Sequence, residues 1–169
     1  MTTEKPMRFV YQLLFATILI LEPASFFANA VPQSAPQIGV NGLLPSSKTQ
    51  RGRTVRASVV MDIPSGYHVN SNHPLEKFLV ATNAQVEAPK GIRLGLVSYP
   101  GAVLRKFKFS KNRVSVYEGR ATMRFNVTVP RSFAPGAVEV KVRLRYQSCN
   151  DELCFPPQTR DVSLWLTVE

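Results

Sequence analysis

The sequence predicts an all-β fold, and three observations carry that prediction. Apolar and polar residues alternate strictly over several separate stretches. Turn-forming residues, 13 Pro and 9 Gly in 169 positions, fall between those stretches rather than within them. No stretch holds a helical period long enough to bury one face of a helix.

Two segments of other character come first. Residues 1–30 read as a secretory leader: Lys5 and Arg8 make a basic start, Leu13 to Leu21 an apolar centre, and Ala28-Asn29-Ala30 a small-x-small cleavage site. The apolar run is about half of the roughly 20 residues that a spanning helix needs, and Glu22 and Pro23 close it. Cleavage near Ala30 is expected, with a periplasmic or secreted product. Residues 31–53, rich in Pro, Ser, Gln and Gly, read as a flexible lead-in with a short edge strand around Ile38 to Leu44. The β domain is expected over residues 54–169, long enough for one core of its own.

Within it, Val55, Ala57, Val59, Met61 and Ile63 alternate with Arg56, Ser58 and Asp62, as a half-buried strand requires. Pro64-Ser65-Gly66 is a turn, and Tyr67 to Asn70 a short strand. Pro74 breaks any helix in Ser71 to Thr82, whose Leu75, Phe78, Leu79 and Val80 are expected to fold back onto the core. Ala84 to Ala88 and Ile92 to Tyr99 read as two strands around Pro89-Lys90-Gly91. Phe107 and Phe109 alternate with Lys106 and Lys108. The clearest strands follow: Ala121 to Val129, Val138 to Tyr146 and Val162 to Val168. Many short alternating strands spaced by turns argue an immunoglobulin-like antiparallel β-sandwich, with a closed barrel as the alternative.

The chemistry concentrates in Tyr146 to Pro157. This stretch holds both cysteines of the chain, Cys149 and Cys154. In an exported chain such a pair is oxidised or redox-active. As a staple it closes a very short loop, for which the chain-entropy estimate is only about 2 kcal/mol. A domain with this much alternating β core hardly needs that, and a small exposed disulfide invites exchange. Both readings stand on the residues alone. Asp151 and Glu152 inside the loop oppose a thiolate, while Arg145 and Arg160 flank it. His68 and His73 lack zinc-finger spacing to the cysteines, so no metal site is expected.

Tyr146-Gln147-x-Cys149 with Cys154-x-Pro156-Pro157 resembles the N-terminal periplasmic domain of the thiol:disulfide interchange protein DsbD. Pro64 to Asn70 and Val116-Tyr117-Glu118-Gly119 resemble two further segments of that family, and the likeness spans about Thr54 to Glu169. It implies an immunoglobulin-like sandwich without a cofactor, whose Cys149 and Cys154 cycle between dithiol and disulfide. Electrons would come from a thioredoxin-like or membrane-embedded carrier and pass to extracytoplasmic thiol proteins. Cys154 would form the mixed disulfides and Cys149 resolve them. The Tyr117-Glu118 segment would cap the thiols, with His68 and Asn70 near the pair to assist proton transfer. The chain departs from the best-known members in having one residue fewer between the cysteines and a histidine at His68 where they carry an aromatic.

The formal net charge is +10. Arg105, Lys106, Lys108, Lys111 and Arg113 cluster in one segment, and Lys141, Arg143 and Arg145 share one strand face. Together they are a candidate basic docking patch or simply a solvated face. A non-catalytic, secreted binding module with a structural disulfide and that basic docking face is therefore the rival reading. Nucleic acid is not an expected partner, since no binding motif accompanies the charge. No Ser/His/Asp arrangement, phosphate-cradling loop or paired carboxylate site stands out, which argues against a hydrolase. A monomer is expected.

Overall fold

The alternating stretches are strands, and each is placed by which of its faces is apolar. The computed structural model describes residue 2 and residues 34–169. Apart from Thr2, the expected leader and its cleavage site lie outside the described residues. In chain order the strands are β1 (Gly39–Leu43), β2 (Lys48–Thr49), β3 (Thr54–Asp62), β4 (His68–Asn70), β5 (Asn83–Glu87) and β6 (Arg93–Leu94). Then come β7 (Val103–Lys106), β8 (Arg113–Tyr117), β9 (Arg120–Thr128), β10 (Gly136–Tyr146), β11 (Ser148–Cys149) and β12 (Gln158–Val168). The described residues contain no helix.

Three sheets result. The first has the order β1-β3-β9-β6 and is antiparallel throughout. The second has the order β2-β12-β10-β5, with β2 parallel to β12 and the rest antiparallel. Their inner faces meet to form the core: Val55, Ala57, Val59 and Met61 of β3 and Met123, Phe125 and Val127 of β9 lie against Val138, Val140, Val142 and Leu144 of β10 and Leu164, Leu166 and Val168 of β12. Side chains of this kind each contribute about 1.5–3 kcal/mol when fully buried. This is the expected immunoglobulin-like sandwich, two open sheets rather than a closed barrel.

Several connections differ from the sequence reading. β5 and β6 flank the Pro89-Lys90-Gly91 turn but join different sheets, β5 pairing with β10 and β6 with β9. Both strands are apolar on alternate positions, so the pattern alone does not say which sheet each completes. β1 and β2 lie within residues 31–53. β1 pairs with β3 over its whole length, and Ile38 beside it is buried in the core. β1 also crosses close to β12: a Cβ at Gly42 would fall 2.5 Å from Leu164 Cδ2 and 2.7 Å from Val162 Cγ1. Of the apolar residues in Ser71 to Thr82, only Leu79 is buried; Leu75 and Phe78 are both 62% exposed. That segment is pinned by backbone bonds from Ser71 N–H to Ser115 O and from Thr82 N–H to Ser71 O, which leave Leu75 and Phe78 on its outer side.

The third sheet, β11-β4-β8-β7, stands at one end and carries the cysteines. A second small apolar cluster of Leu79, Phe107, Val114 and Val116 lies against it, with Phe109 and Cys154 packed on its margin.

Candidate active site

β10 runs with strict alternation up to Tyr146, whose hydroxyl donates to Gln158 Oε1 at 3.0 Å across to β12. The chain then leaves the large sheet. Gln147 is buried and its side chain replaces the missing ladder. Its Oε1 accepts from Asn70 Nδ2 at 3.0 Å and from Val80 N–H at 2.9 Å, and its Nε2 donates to Phe155 O at 3.1 Å. One amide thus ties β4, the irregular segment after it and the far arm of the cysteine loop to a single point. Asn70 adds a bond from Nδ2 to Val80 O at 3.3 Å.

Ser148 and Cys149 pair with Val69 and His68, while Cys154 returns antiparallel and opposite Cys149. Backbone bonds from Phe155 N–H to Ser148 O and from Asn150 N–H to Leu153 O, both 2.9 Å, flank the pair. The four intervening residues turn on Asn150, whose Oδ1 accepts from Glu152 N–H at 2.9 Å and Leu153 N–H at 2.8 Å. Side-chain capping of this kind is why Asn suits a tight turn. The cysteines form a disulfide, with Cα atoms 4.0 Å apart. Its two sulfurs differ in access: Cys149 is fully buried and Cys154 half-buried.

His68, directly across from Cys149, is 2% exposed. Its ring stacks on Phe107 with centroids 3.9 Å apart, and Phe109 continues the stack 5.3 Å from Phe107. Burial holds the imidazole down to about 4, with the Glu118 and Asp151 carboxylates pulling weakly the other way, so His68 is neutral at pH 7. Its buried Nε2 has no hydrogen-bond partner among the described residues. The Phe107–Phe109 turn is fastened to the cysteine loop itself. Lys108 N–H donates to Asp151 O at 3.1 Å, and Lys108 Nζ lies 3.3 Å from Glu152. Lys106 Nζ, donating to Lys111 O, closes the base of the turn.

Residues 41–165 match the family described as the N-terminal domain of the thiol:disulfide interchange protein DsbD. The chain belongs to that family. Among solved structures it is similar to the reduced DsbD N-terminal domain of Neisseria meningitidis, at 20% identity and TM-score 0.45, over 77% of this chain and 90% of that one. It is also similar to the N-terminal periplasmic domain of ScsB from Proteus mirabilis, at 11% identity and TM-score 0.50, over 76% of this chain but only 45% of that one. Comparison with curated proteins returns no match. Family and disulfide together support thiol–disulfide exchange.

The candidate residues of this DsbD-type domain fall into three groups. Cys149, Cys154, His68 and Asn70 come together as described, though the Asn70 amide is engaged with Gln147 and Val80. Tyr117 and Glu118 lie beside the site in a different way from the cap expected. Tyr117 is 3% exposed and packed in the main core; its Oη accepts from Asn72 N–H at 3.2 Å and donates to Asn72 Oδ1 at 2.5 Å. Glu118 is held by Arg105 through Nε and Nη2 at 3.0 and 2.9 Å. Phe107 belongs to the small apolar cluster on whose margin both Phe109 and Cys154 pack. β7 ends at Lys106, and a turn rather than a strand presents both rings to His68.

The basic residues fall on two different sheets and the turn between two strands. Arg105 and Lys106 lie on β7 and Arg113 on β8 of the third sheet, Lys108 and Lys111 on the turn between them, and Lys141, Arg143 and Arg145 on β10 of the second. Four of the eight face an acid: Arg105 Glu118, Lys108 Glu152, Lys141 Glu139 and Arg143 Asp161. Among the described residues no group of three or more His, Cys, Asp or Glu is placed to hold a metal ion. Sequence reasoning missed the hydrogen-bonding of Gln147 and the stacking of Phe107 and Phe109 on His68. The signal for the second was two phenylalanines in a lysine-rich turn, where solvation alone would place none.

Proposed function

We propose that this domain exchanges thiols and disulfides outside the cytoplasm through Cys149 and Cys154, relaying reducing equivalents between a thioredoxin-like or membrane-embedded carrier and other thiol proteins. The observation that carries this reading is the unequal access of the two sulfurs in a chain of this family. A partner thiolate attacks Cys154 Sγ, the half-buried sulfur. The Cys149–Cys154 bond breaks, and Cys149 leaves as a thiolate that takes up a proton. A second partner thiol then loses its proton and attacks the mixed disulfide, releasing Cys154. The partner is oxidised by two electrons and this domain reduced by two; the reverse sequence passes them on.

Phe107 and Phe109 act as the cover over Cys154, displaced when a partner docks. Tyr117 and Glu118 support the rim of that cover through Asn72 and Arg105. His68 assists at Cys149: its neutral ring, whose buried Nε2 has no partner among the described residues in the disulfide state, hydrogen-bonds the Cys149 sulfur once reduction frees it. Asn70 serves by holding Gln147 and so the hairpin.

The test is the reduction potential of the pair in graded dithiol buffers. A value between roughly −120 and −270 mV supports exchange, whereas one below about −300 mV marks a structural staple. Cys149→Ser, which keeps Cys154 free, accumulates a mixed disulfide with a thioredoxin-like protein; Cys154→Ser does not. If neither variant traps such a partner, the relay is wrong.

A further inference from the structure

The sheet β1-β3-β9-β6 turns one face to the core and the other to solvent, and positive charge predominates on its outer face. Arg56 on β3, Arg124 on β9 and Arg93 on β6 are exposed, alternating with Val55, Ala57, Met123, Phe125 and Leu94, which pack inward. Register sets Arg56 opposite Asn126, Arg124 opposite Ser58 and Arg93 opposite Thr128, so the three lie on neighbouring strands of one surface. None of the three forms an ion pair among the described residues. The acid on these strands' outer face is Asp62, and Arg120 holds it at 2.8 Å.

An exposed leucine stands at each side of the arginines. Leu43, opposite Ser58 on β1, is 55% exposed; Leu96, just past β6, is 97% exposed. An open groove lined by Arg56, Leu96, Ser98, Arg124 and Asn126 runs between arginine and leucine. The outer face of the second sheet is different, since Lys141 and Arg143 there sit against Glu139 and Asp161.

We propose that this arginine face docks the domain on an anionic lipid bilayer. Guanidinium groups present a planar fork matched to phosphate oxygens, and unpaired ones break no ion pair on binding. Charge alone fits any polyanion. The two leucines at opposite edges of a broad, open face fit a bilayer, whose acyl boundary receives apolar side chains wherever they project. The face shares no residue with the cysteine hairpin, which lies on the third sheet, so this docking is independent of the exchange chemistry.

Sedimentation of the full-length chain with vesicles tests it. Phosphatidylcholine vesicles report whatever the apolar run Leu13 to Leu21 contributes; vesicles with about 30% phosphatidylglycerol report the charge-dependent part. The expected result is tighter binding to the anionic vesicles that falls steeply with salt. Arg56→Gln with Arg124→Gln weakens it about fivefold per arginine, and Leu96→Ser weakens it further. Lys141→Gln with Arg143→Gln, the same charge change on the balanced face, leaves it within about twofold. No preference for anionic vesicles, or equal losses in the two double variants, overturns the proposal. So does an Arg56/Arg124 loss with Leu96→Ser unchanged and displacement by polyglutamate, which would point to an acidic protein instead.

Discussion

His68 and Phe107 lie face to face, their ring centroids 3.9 Å apart and their planes 12° from parallel. Because His68 is also the cross-strand neighbour of Cys149, this contact joins the aromatic cover to the strand that carries the buried sulfur. A change in the cover is therefore felt at the disulfide through one side chain, and a change at the cysteine loop is felt by the cover through Lys108.

Removing the Phe107 ring separates cover from fold. Phe107 is 9% exposed within a small cluster, so Phe107→Ala is expected to cost about 2–3 kcal/mol, less than a phenylalanine of a large core. Alkylation of the reduced protein by iodoacetamide should meanwhile accelerate several-fold at Cys154, while Cys149 stays slow. Denaturant titration and mass spectrometry of the alkylated cysteines read the two effects independently. Unchanged alkylation of Cys154 would remove the covering role.

The buried imidazole makes a second prediction, on acid stability. His68 titrates at about 4 in the folded protein and near 6.5 when unfolded. Between those values the unfolded chain binds more protons, so stability rises with pH across that window. It is fully present above pH 6.5 and lost as pH falls toward 4, by up to about 3 kcal/mol, because each pH unit between the two values is worth about 1.4 kcal/mol. The Glu118 and Asp151 carboxylates face the ring from the β8–β9 turn and the cysteine loop and temper the loss. In His68→Phe, which preserves the stack, this part of the slope disappears. Urea midpoints at pH 7.5, 5.5 and 4.5 for both proteins decide it; parallel profiles would mean that His68 is not held neutral.

The strands were legible where one face is buried and the other wet. β3, β9, β10 and β12 alternate because each lies between core and solvent, with Val60 of β3 the one apolar, buried exception, and the sequence places all four. β8 is not read as a strand from the sequence: its alternation lasts only five residues, and Ser115, its inner polar position, is buried along with Val114, Val116 and Tyr117 rather than facing solvent. The partition of β5 and β6 between sheets depends on long-range pairing that neither segment encodes. At the site, the cysteines were visible as residue types, but the cover was assigned to Tyr117. Only the chain path shows that Tyr117 turns inward while Phe107 turns toward His68. The surroundings of the basic residues are hidden from the sequence for a similar reason. Counting cations along the chain cannot reveal that acids lie against Lys141 and Arg143 and that, among the described residues, none forms a pair with Arg56 and Arg124.

Gly42 tests how closely β1 must approach β12. Gly42→Ala places a Cβ 2.5 Å from Leu164 Cδ2 and 2.7 Å from Val162 Cγ1, so either β1 lifts or two packed side chains turn. A loss of about 1–3 kcal/mol is expected, the range for overpacking. Gly101→Ala, where nothing lies within 4 Å of the added carbon, should stay within about 0.5 kcal/mol. Equal stability of the two variants by denaturant titration would show that β1 has room to move.

Gln147 should matter more than its distance from the sulfurs suggests. Gln147→Leu keeps much of the volume but strands three buried partners: Asn70 Nδ2, Val80 N–H and Phe155 O. Each buried group left unpaired costs about 1–3 kcal/mol, and Asn70 retains a weak alternative at Val80 O, so a loss of about 2–4 kcal/mol is expected. Gln147→Glu divides the roles, because it keeps the acceptor and loses the donor to Phe155 O. If the amide only stabilises the fold, Gln147→Glu should lower the denaturation midpoint and leave the reduction potential of Cys149–Cys154 in place. If the bond to Phe155 O also sets the approach of Cys154 to Cys149, the dithiol–disulfide equilibrium should shift toward the dithiol. The arm carrying Cys154 and Phe155 is then held to Cys149 by the Phe155–Ser148 and Asn150–Leu153 backbone bonds, the Asn150 turn and the disulfide. Measuring both quantities on the two variants tells a positioning residue from a merely buried one.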